Sequence, residues 1–258
     1  MRNAPLAVAA FALALLAAGC ASPATPPEDG VRQPAAPEPF ALQATCGRME
    51  ANVPVPLQRV RPLVPPDLPV LEAGGEAFLR VATLTCRDAR LEAGSGPVAL
   101  PLGLSTVAVR LEPDGLAARS YVLLLATDQP LLSDLLVRAG LDAPVEALDG
   151  GGTDMVALGS TRTVGVAAGP GSGQLTGFLA EAAAPLVPEE RTWLSDGTLG
   201  RATFHLEPAA EVPLTLHGMG TVTAPHGSQL EQLLGGGAVS NAVHAATLNV
   251  HLTFQPPA

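Results

Sequence analysis

The sequence predicts a mainly β protein, an antiparallel barrel-like single domain with a few short helices. Ten segments have the apolar runs or the alternation typical of strands, and clusters of Gly, Pro and Asp separate them. Helical periodicity is confined to short stretches. Beyond its N-terminal segments the chain keeps about 220 residues, which fits one β-rich domain as well as two small ones. The predicted strands are 76–86, 106–112, 119–126, 155–159, 161–168, 174–181, 191–194, 202–207, 212–223 and 243–254.

Residues 1–19 have the features of a secretion signal. A positive residue near the start precedes the apolar segment 5–16, which is too short to span a bilayer. The following Leu16-Ala-Ala-Gly-Cys20 is similar to the lipobox of bacterial lipoproteins, whose cysteine is acylated and becomes the N-terminus. Ordinary secretion, with cleavage after Ala21 or Ala24, is the alternative.

Residues 20–39 form a proline-rich tether that joins Cys20 to a folded domain at 40–258. Prolines favour extended polyproline II, so the tether reaches on the order of 60 Å at about 3.1 Å per residue. Two or more acyl chains such as palmitate on Cys20 would anchor the protein stably to a lipid bilayer. We therefore expect an extracytoplasmic lipoprotein of the bacterial cell envelope, with the inner or outer membrane left open.

Cys46 and Cys86 are the two cysteines that remain once Cys20 is acylated. In an oxidising compartment such a pair predicts a disulfide. Two buried free thiols are the alternative. A metal site built on cysteine is not expected from two thiols so far apart in the sequence.

The segment 118–145 predicts a buried strand followed by a short helix. The nearly unbroken apolar run 121–126 suits a strand covered on both faces. Asp128 is placed to cap a helix that has Pro130 in its first turn, and Gly140 is placed to end it.

This segment resembles the centre of the acetoacetate decarboxylase-like family, in which an apolar strand leads through an Asp-x-x-Pro turn and a short helix to a Gly-x-Pro-Lys stretch. Asp128-Gln-Pro130 is similar to the turn, and Gly140-Leu-Asp-Ala-Pro144 stands where the glycine and lysine would be. Upstream, Gly103-Leu-Ser-Thr-Val107 resembles another family segment, with Thr106 in the place of an acid. Earlier in the chain, the segment from Val53-Pro-Val-Pro-Leu57 through Val64-Pro-Pro-Asp67 resembles the family's strand end and the helix that follows it. The resemblance spans 40–258 and implies a β-barrel fold.

The resemblance also implies a lysine that forms an imine with a β-keto acid, yet all 14 basic residues of this chain are arginine. Imine formation needs a side-chain amine. We therefore do not expect a Schiff-base decarboxylase, and we expect no cofactor. The formal charge of −10 disfavours nucleic acid as a partner, because phosphate contacts need clustered cations.

The histidines all lie in the last quarter of the chain. They are His205, His217, His226, His244 and His251. Strand alternation predicts that His205, His217 and His251 lie on polar faces, so no metal site is expected unless they meet across neighbouring strands. His244 shares its predicted face with apolar residues and is expected to point inward. It is either a ligand-orienting group or base in a cavity, or a buried histidine bonded to a carbonyl.

Arg80 and Tyr121 are the other candidate ligand-binding residues. Arg80 lies on a largely buried predicted strand, where a guanidinium needs a partner. Inside a barrel it would attract a carboxylate ligand, and an ion pair with Glu72 or Glu76 is the alternative. Tyr121 offers a hydroxyl to the same cavity, or is a core residue.

Three functions remain open from the sequence. The first is a non-catalytic barrel that binds a small apolar or carboxylate-bearing molecule. The second is a structural or partner-binding envelope protein with a filled barrel. The third is a hydrolase or isomerase that uses His244 with an acid such as Glu181 or Asp154. The sequence contains neither a Gly-x-Ser-x-Gly elbow nor a phosphate loop.

Overall fold

The computed structural model describes most of the predicted domain and little of what precedes it. The predicted signal peptide, Cys20, the tether up to residue 37 and Asp154 lie outside the described residues. No described helix has the length and apolar character needed to cross a bilayer. The described residues are 38–94, 96–114, 117–146, 148, 156–158, 161–168, 173–181, 191–197, 200–208 and 216–255.

The described residues form one large mixed sheet with a few short helices, which confirms the predicted fold class. Each predicted strand overlaps an observed strand, and most observed strands are longer. The strands are β1 (Phe40–Pro56), β2 (Glu72–Ala73), β3 (Glu76–Ala93), β4 (Gly96–Asp114), β5 (Ala117–Thr127), β6 (Val156–Leu158), β7 (Thr161–Ala168), β8 (Gly173–Glu181), β9 (Arg191–Gly197), β10 (Gly200–Pro208), β11 (Leu216–Thr223) and β12 (Ala238–Gln255).

The sheet closes on itself through the pairing of β1 with β12. The hydrogen-bonded order β1-β3-β4-β5-β9-β10-β12 returns to β1, and β11, β8, β7 and β6 continue from β12. This closed path is the expected barrel. The predicted antiparallel pairing holds for the other described strand pairs, whereas β5 and β9 run parallel over four residues.

β1 is a long strand that the sequence pattern did not reveal. Its even-numbered residues are buried from Phe40 to Cys46, but from Arg48 to Ala51 every residue is buried. Both faces of the sheet are therefore covered at this point. An arginine and a glutamate in the middle of the segment hide the strand, because they break the apolar alternation on which strand prediction rests.

Two apolar clusters lie on opposite faces of the sheet. The first includes Leu42, Ala82 and Leu104, and the second includes Val53 and Val81. Because successive side chains of a strand point to opposite faces, alternate residues of β1, β3 and β4 enter different clusters. The central strands are thus buried on both sides.

The segment after β5 is anchored to β4 by Asp128 and Thr127. The Asp128 carboxylate accepts a hydrogen bond from Gly103 N at 2.7 Å, and Thr127 Oγ1 donates to Gly103 O at 2.9 Å. A Cβ at Gly103 would lie only 2.8 Å from Asp128 Oδ2, so glycine permits this approach. The prediction that Asp128 caps the next helix is wrong, because its carboxylate is used here.

That helix, α2, covers Pro130–Arg138 and follows Gln129, which makes no side-chain cap. Gly140 has a φ of 81° just beyond the helix, as the predicted glycine stop requires. Two shorter helices flank it in the chain: α1 (Leu57–Val60), which continues as a 3-10 turn, and α3 (Gln229–Leu234).

α3 has a fully formed N-terminal cap. Ser228 Oγ accepts from Glu231 N at 3.1 Å, and the Glu231 carboxylate accepts from Gly227 N at 2.6 Å. The hydrogen bond from Gly227 N is the main cause that lowers the pKa of Glu231 below its ordinary value, and the side-chain bond with His226 lowers it further. Gly235 ends the helix at a φ of 77°. These contacts define where α3 begins and ends.

The predicted disulfide between Cys46 and Cys86 is confirmed. The two cysteines lie directly opposite each other in the β1–β3 register, with a Cα–Cα distance of 3.9 Å. Both are buried among the apolar residues of the first cluster. The bridge therefore ties together the two strands that carry the charged groups described next.

Candidate functional site

Three charged side chains are buried in the centre of the sheet and form what we call the arginine cluster, Arg48, Glu50 and Arg80. Their exposed fractions are 6%, 1% and 1%. Glu50 Oε2 lies 3.3 Å from Arg48 Nη1 and 3.5 Å from Arg80 Nε. Arg80 Nη1 also donates a hydrogen bond to Ser120 Oγ at 3.1 Å. One carboxylate thus lies between two guanidinium groups.

The sheet register makes room for these side chains. Glu50 lies opposite Ala82, and Arg80 lies between Asn52 and Ala108 of the adjacent strands. The two alanines occupy little volume on the same face, so long charged side chains fit beside them. A buried charge is tolerated only with a charged or hydrogen-bonding partner, which Glu50 provides for both arginines.

The alternative partners proposed for Arg80, Glu72 and Glu76, are wrong. Both are exposed, whereas Arg80 is among the most buried residues described. Its partner comes from β1, the strand that was not recognised in the sequence. The ion-pair role of Arg80 is therefore observed, and a ligand role for it stays a prediction.

Thr106 of β4 lies on the same face of the sheet as the arginine cluster. Ala82 of β3 lies between Thr106 and Glu50, because it pairs with Thr106 on one side and with Glu50 on the other. The hydroxyl of Thr106 is fully buried, and Thr106 Oγ1 has no hydrogen-bond partner among the residues that the structure describes. This is the residue that stands in the place of an acid in the family resemblance. A buried polar atom of this kind is an exception in folded proteins.

His244 lies opposite Glu50 in the β1–β12 register and opposite His217 in the β11–β12 register. The main chain thus brings His244 beside the strand segment that carries the arginine cluster. The side chains of His244, His217 and Glu181 lie outside the described part of the chain. Their predicted roles stay predictions.

A groove of about 620 Å³ opens beside β5 where β5 and β9 separate, and we call it the β5–β9 groove. The two strands pair only from Ala118 to Tyr121 of β5. At the far end Thr127 bonds with residues 144 and 146. Between these contacts, residues 122–126 have no strand partner on this side within the described part of the sheet.

The end of β9 is held away from β5 by the segment after α2. A Cβ on Gly197 would lie 2.6 Å from Ala139 O and 2.9 Å from the carbonyl carbon of Gly140, so the end of β9 packs directly on this main chain. Glycine at 197 allows that contact. Residues 140–144 then continue along the groove, so α2 and its C-terminal loop keep it open.

The groove combines an apolar wall with polar side chains from several elements. Leu123, Leu124, Leu125 and Leu141 supply apolar surface. The polar groups that line it are Arg59, Tyr121, Asp142, Ser195, Asp196, Gln229 and Gln232. Small-molecule sites are mainly apolar with a small number of orienting polar groups, whereas nearly half of the residues that line this groove are polar.

Arg59 is held at the edge of the groove by α3. Arg59 Nη1 donates to Leu233 O at 3.3 Å, one of the last carbonyl groups of the helix. Its guanidinium also packs across Gly235, where a Cβ would collide with it. A guanidinium has five N–H donors, so this single bond leaves others for a ligand.

The structure brings only part of the predicted ligand site together. Tyr121 lines the β5–β9 groove, but its neighbour Ser120 is the residue that bonds Arg80. Successive residues of a strand face opposite ways, and Tyr121 packs against the second apolar cluster while Arg80 lies on the face of the first. Arg80 and Tyr121 therefore do not share one cavity. Their predicted roles as ligand contacts stay predictions.

Sequence reasoning missed Glu50 and Arg59. Glu50 belongs to the unrecognised strand β1. Opposite charges at positions 48 and 50, which share one face of a strand, could have indicated a buried ion pair. Arg59 lies in the helix that the resemblance implies after Val53-Pro-Val-Pro-Leu57, and no site role was predicted for it. Nothing in its local sequence indicates that α3, 170 residues later in the chain, would hold it beside a groove.

Solved structures with the same architecture exist despite low sequence identity. No protein-family model matches the sequence, and no curated protein does. An acetoacetate decarboxylase-like enzyme from Sphingomonas wittichii is 11% identical with a TM-score of 0.52, covering 93% of this chain and 100% of its own. The acetoacetate decarboxylase of Legionella pneumophila is 13% identical with a TM-score of 0.53, covering 86% and 88%.

The chain has an acetoacetate decarboxylase-like fold. This confirms the fold that the sequence resemblance implied. Within this fold, the segment Gly140–Pro144, which stands where the resemblance places the glycine and lysine, lines the β5–β9 groove. The sequence has no lysine at these or any other positions.

Proposed function

We propose that the protein is a non-catalytic binding protein for a small apolar or carboxylate-bearing molecule, held outside the cytoplasm by an acylated Cys20. The observation that carries this proposal is the β5–β9 groove. Its volume of about 620 Å³ falls within the range of roughly 300–1,000 Å³ found for ligand sites. The segment that the resemblance associates with the reactive lysine also lines the groove.

We expect a ligand with an apolar body and an anionic end that reaches Arg59, the one cation among the described residues that line the groove, and avoids the carboxylates of Asp142 and Asp196. Its leucine side chains would cover the body. Arg59 would bind the anionic end, since a guanidinium pairs well with a carboxylate. The bond from Arg59 to Leu233 O restricts the guanidinium before a ligand arrives, which lowers the entropic cost of binding.

Arg59→Gln is expected to weaken binding of octanoate, a carboxylate with an eight-carbon chain. A hydrogen bond to a charged group contributes about 1.5–3 kcal/mol, so the dissociation constant should rise roughly ten- to hundredfold. Octanol, which has the same chain length without the charge, should be affected much less. Isothermal titration calorimetry of the purified full chain measures both ligands.

Arg61→Gln is the matched control. Arg61 belongs to the same short helical stretch but donates to Leu68 O at 2.7 Å and Pro65 O at 3.0 Å, and it does not line the groove. Octanoate affinity should be unchanged in this variant. Equal loss in both variants, or no loss in Arg59→Gln, would contradict the role of Arg59.

The absence of lysine supports a binding role over imine catalysis, because the imine needs a side-chain amine. The main-chain position of His244 opposite Glu50 is compatible with the alternative of a histidine-dependent hydrolase or isomerase. A structural or partner-binding role is the other alternative, and it predicts that no small molecule binds the groove.

Cys20→Ser is expected to abolish acylation and to move the protein out of the membrane fraction. Only a cysteine thiol accepts the diacylglyceryl group at a lipobox, and the acyl chains provide the anchor. Metabolic labelling with a palmitate analogue, followed by fractionation of bacterial cells, measures both effects. Absence of label from both the wild type and the variant would favour ordinary secretion, and equal labelling of both would show that Cys20 is not the acylated residue.

A further inference from the structure

Two histidines face each other across β10 and β12, on the face of the sheet opposite the first apolar cluster. His205 and His251 are direct cross-strand partners. Each is half-buried, while the residues beside them, Phe204 and Leu252, are fully buried on the opposite face. Residues directly opposite each other on antiparallel strands have Cβ atoms about 4.5–5.5 Å apart. Sequence alternation placed both histidines on polar faces, and the register now makes them neighbours.

His205 and His251 belong to a row of cross-strand partners that continues with polar residues on both sides. Thr192 of β9 lies opposite His205, and Gln43 of β1 lies opposite His251. Thr192 Oγ1 is 3.4 Å from His205 Nδ1. In the tautomer in which Nδ1 carries the proton, Nδ1 donates to Thr192 Oγ1 and Nε2 is free to bind a metal. Arg90, a cation further along the row, is separated from His251 by Gln43.

We propose that His205 and His251 form a surface site for one divalent transition-metal ion, with Nε2 of His205 as one ligand and water completing the coordination. The groups of three or more metal-binding side chains that enclosed sites require are not found within the described residues. An open two-imidazole site is therefore the form that this pair supports.

The chemistry of the pair defines which ions it takes. Imidazole suits Cu²⁺, Ni²⁺ and Zn²⁺, whereas Mg²⁺ and Ca²⁺ prefer oxygen ligands. Among the first three, divalent copper should bind most tightly, following the general order of stability. His205, His251, Thr192 and Gln43 do not line the β5–β9 groove, so metal binding does not depend on the ligand proposal.

The test is titration of the purified full chain with CuCl₂, followed by calorimetry and by electron paramagnetic resonance. We expect one Cu²⁺ ion per chain that depends on His205 and His251 and whose spectrum shows coupling to imidazole nitrogen. Any second ion that His244→Asn removes belongs to the other cross-strand pair, His217 and His244. His205→Asn and His251→Asn should each weaken this binding by more than about tenfold, the lower end of the loss seen when even an outer partner of a metal ligand is removed. Thr192→Val should give a smaller loss.

His226→Asn is the control, because His226 is exposed next to α3 and pairs with Glu231 instead. Its affinity for Cu²⁺ should equal that of the wild type. The proposal is overturned if His205→Asn and His251→Asn bind as tightly as the wild type, or if His226→Asn loses the same affinity. MgCl₂ in place of CuCl₂ should give no saturable binding. Saturable Mg²⁺ binding that disappears in His205→Asn or His251→Asn would also overturn the proposal.

Discussion

Glu50→Gln is expected to lower the free energy of unfolding by about 3–5 kcal/mol, the cost of breaking a buried ion pair by removing one partner. The substitution keeps the size of the side chain but leaves the positive charges of Arg48 and Arg80 without the carboxylate that lies between them. The loss is large because these groups are almost fully buried and cannot recover hydration. Urea unfolding followed by circular dichroism measures it.

Glu72→Gln is the control, since Glu72 is exposed on β2 and has no part in the cluster. Its stability should stay within about 0.5 kcal/mol of the wild type. The double variant Glu50→Gln/Arg80→Met should lose less stability than the sum of the two single variants, because it removes one of the buried charges together with its partner. Additive losses, or a loss below about 1 kcal/mol in Glu50→Gln, would show that Glu50 does not stabilise the arginines.

Removal of the disulfide is the second substitution with a large expected effect. Cys46→Ala/Cys86→Ala should lower the free energy of unfolding by about 4 kcal/mol, because the bridge restricts the unfolded chain over a separation of 40 residues. The β1–β3 pairing itself is expected to persist, since these strands share a long register beyond the cysteines. Urea unfolding under oxidising conditions measures the change.

A reducing agent provides the matched comparison for the bridge. Dithiothreitol should shift the unfolding midpoint of the wild type towards that of the double variant and leave the double variant itself unchanged. An equal midpoint for the wild type with and without reductant would contradict a stabilising role for the Cys46–Cys86 bond.

Strands were predictable wherever apolar residues alternate with polar residues or form a continuous run. The segments around β3, β5, β7 and β12 have clear apolar alternation or runs, and the structure forms strands there. β1 was not predictable, because Arg48 and Glu50 look like surface residues until the covering of both sheet faces is known. The parallel β5–β9 pair was hidden for a related reason: it depends on which strands become neighbours after the barrel closes.

The candidate site was only partly predictable. Tyr121 and Gly140 were singled out from local sequence, and both line the groove. The partner of Arg80 was not predictable, since the choice among Glu50, Glu72 and Glu76 depends on strand register. The use of Asp128 as an acceptor for Gly103 N, in place of a helix cap, likewise depends on a contact between segments 25 residues apart.

Native mass spectrometry of the full chain, purified gently from the expressing host, tests the central claim most directly. The proposal predicts a reproducible additional mass that is lost on denaturation. It also predicts that Leu124→Trp, which would fill the β5–β9 groove, removes this mass, while Leu63→Trp, an exposed position at its rim, reduces it less. The mass of the protein alone, in both the wild type and the groove variant, would contradict a binding function and favour a structural or partner-binding role.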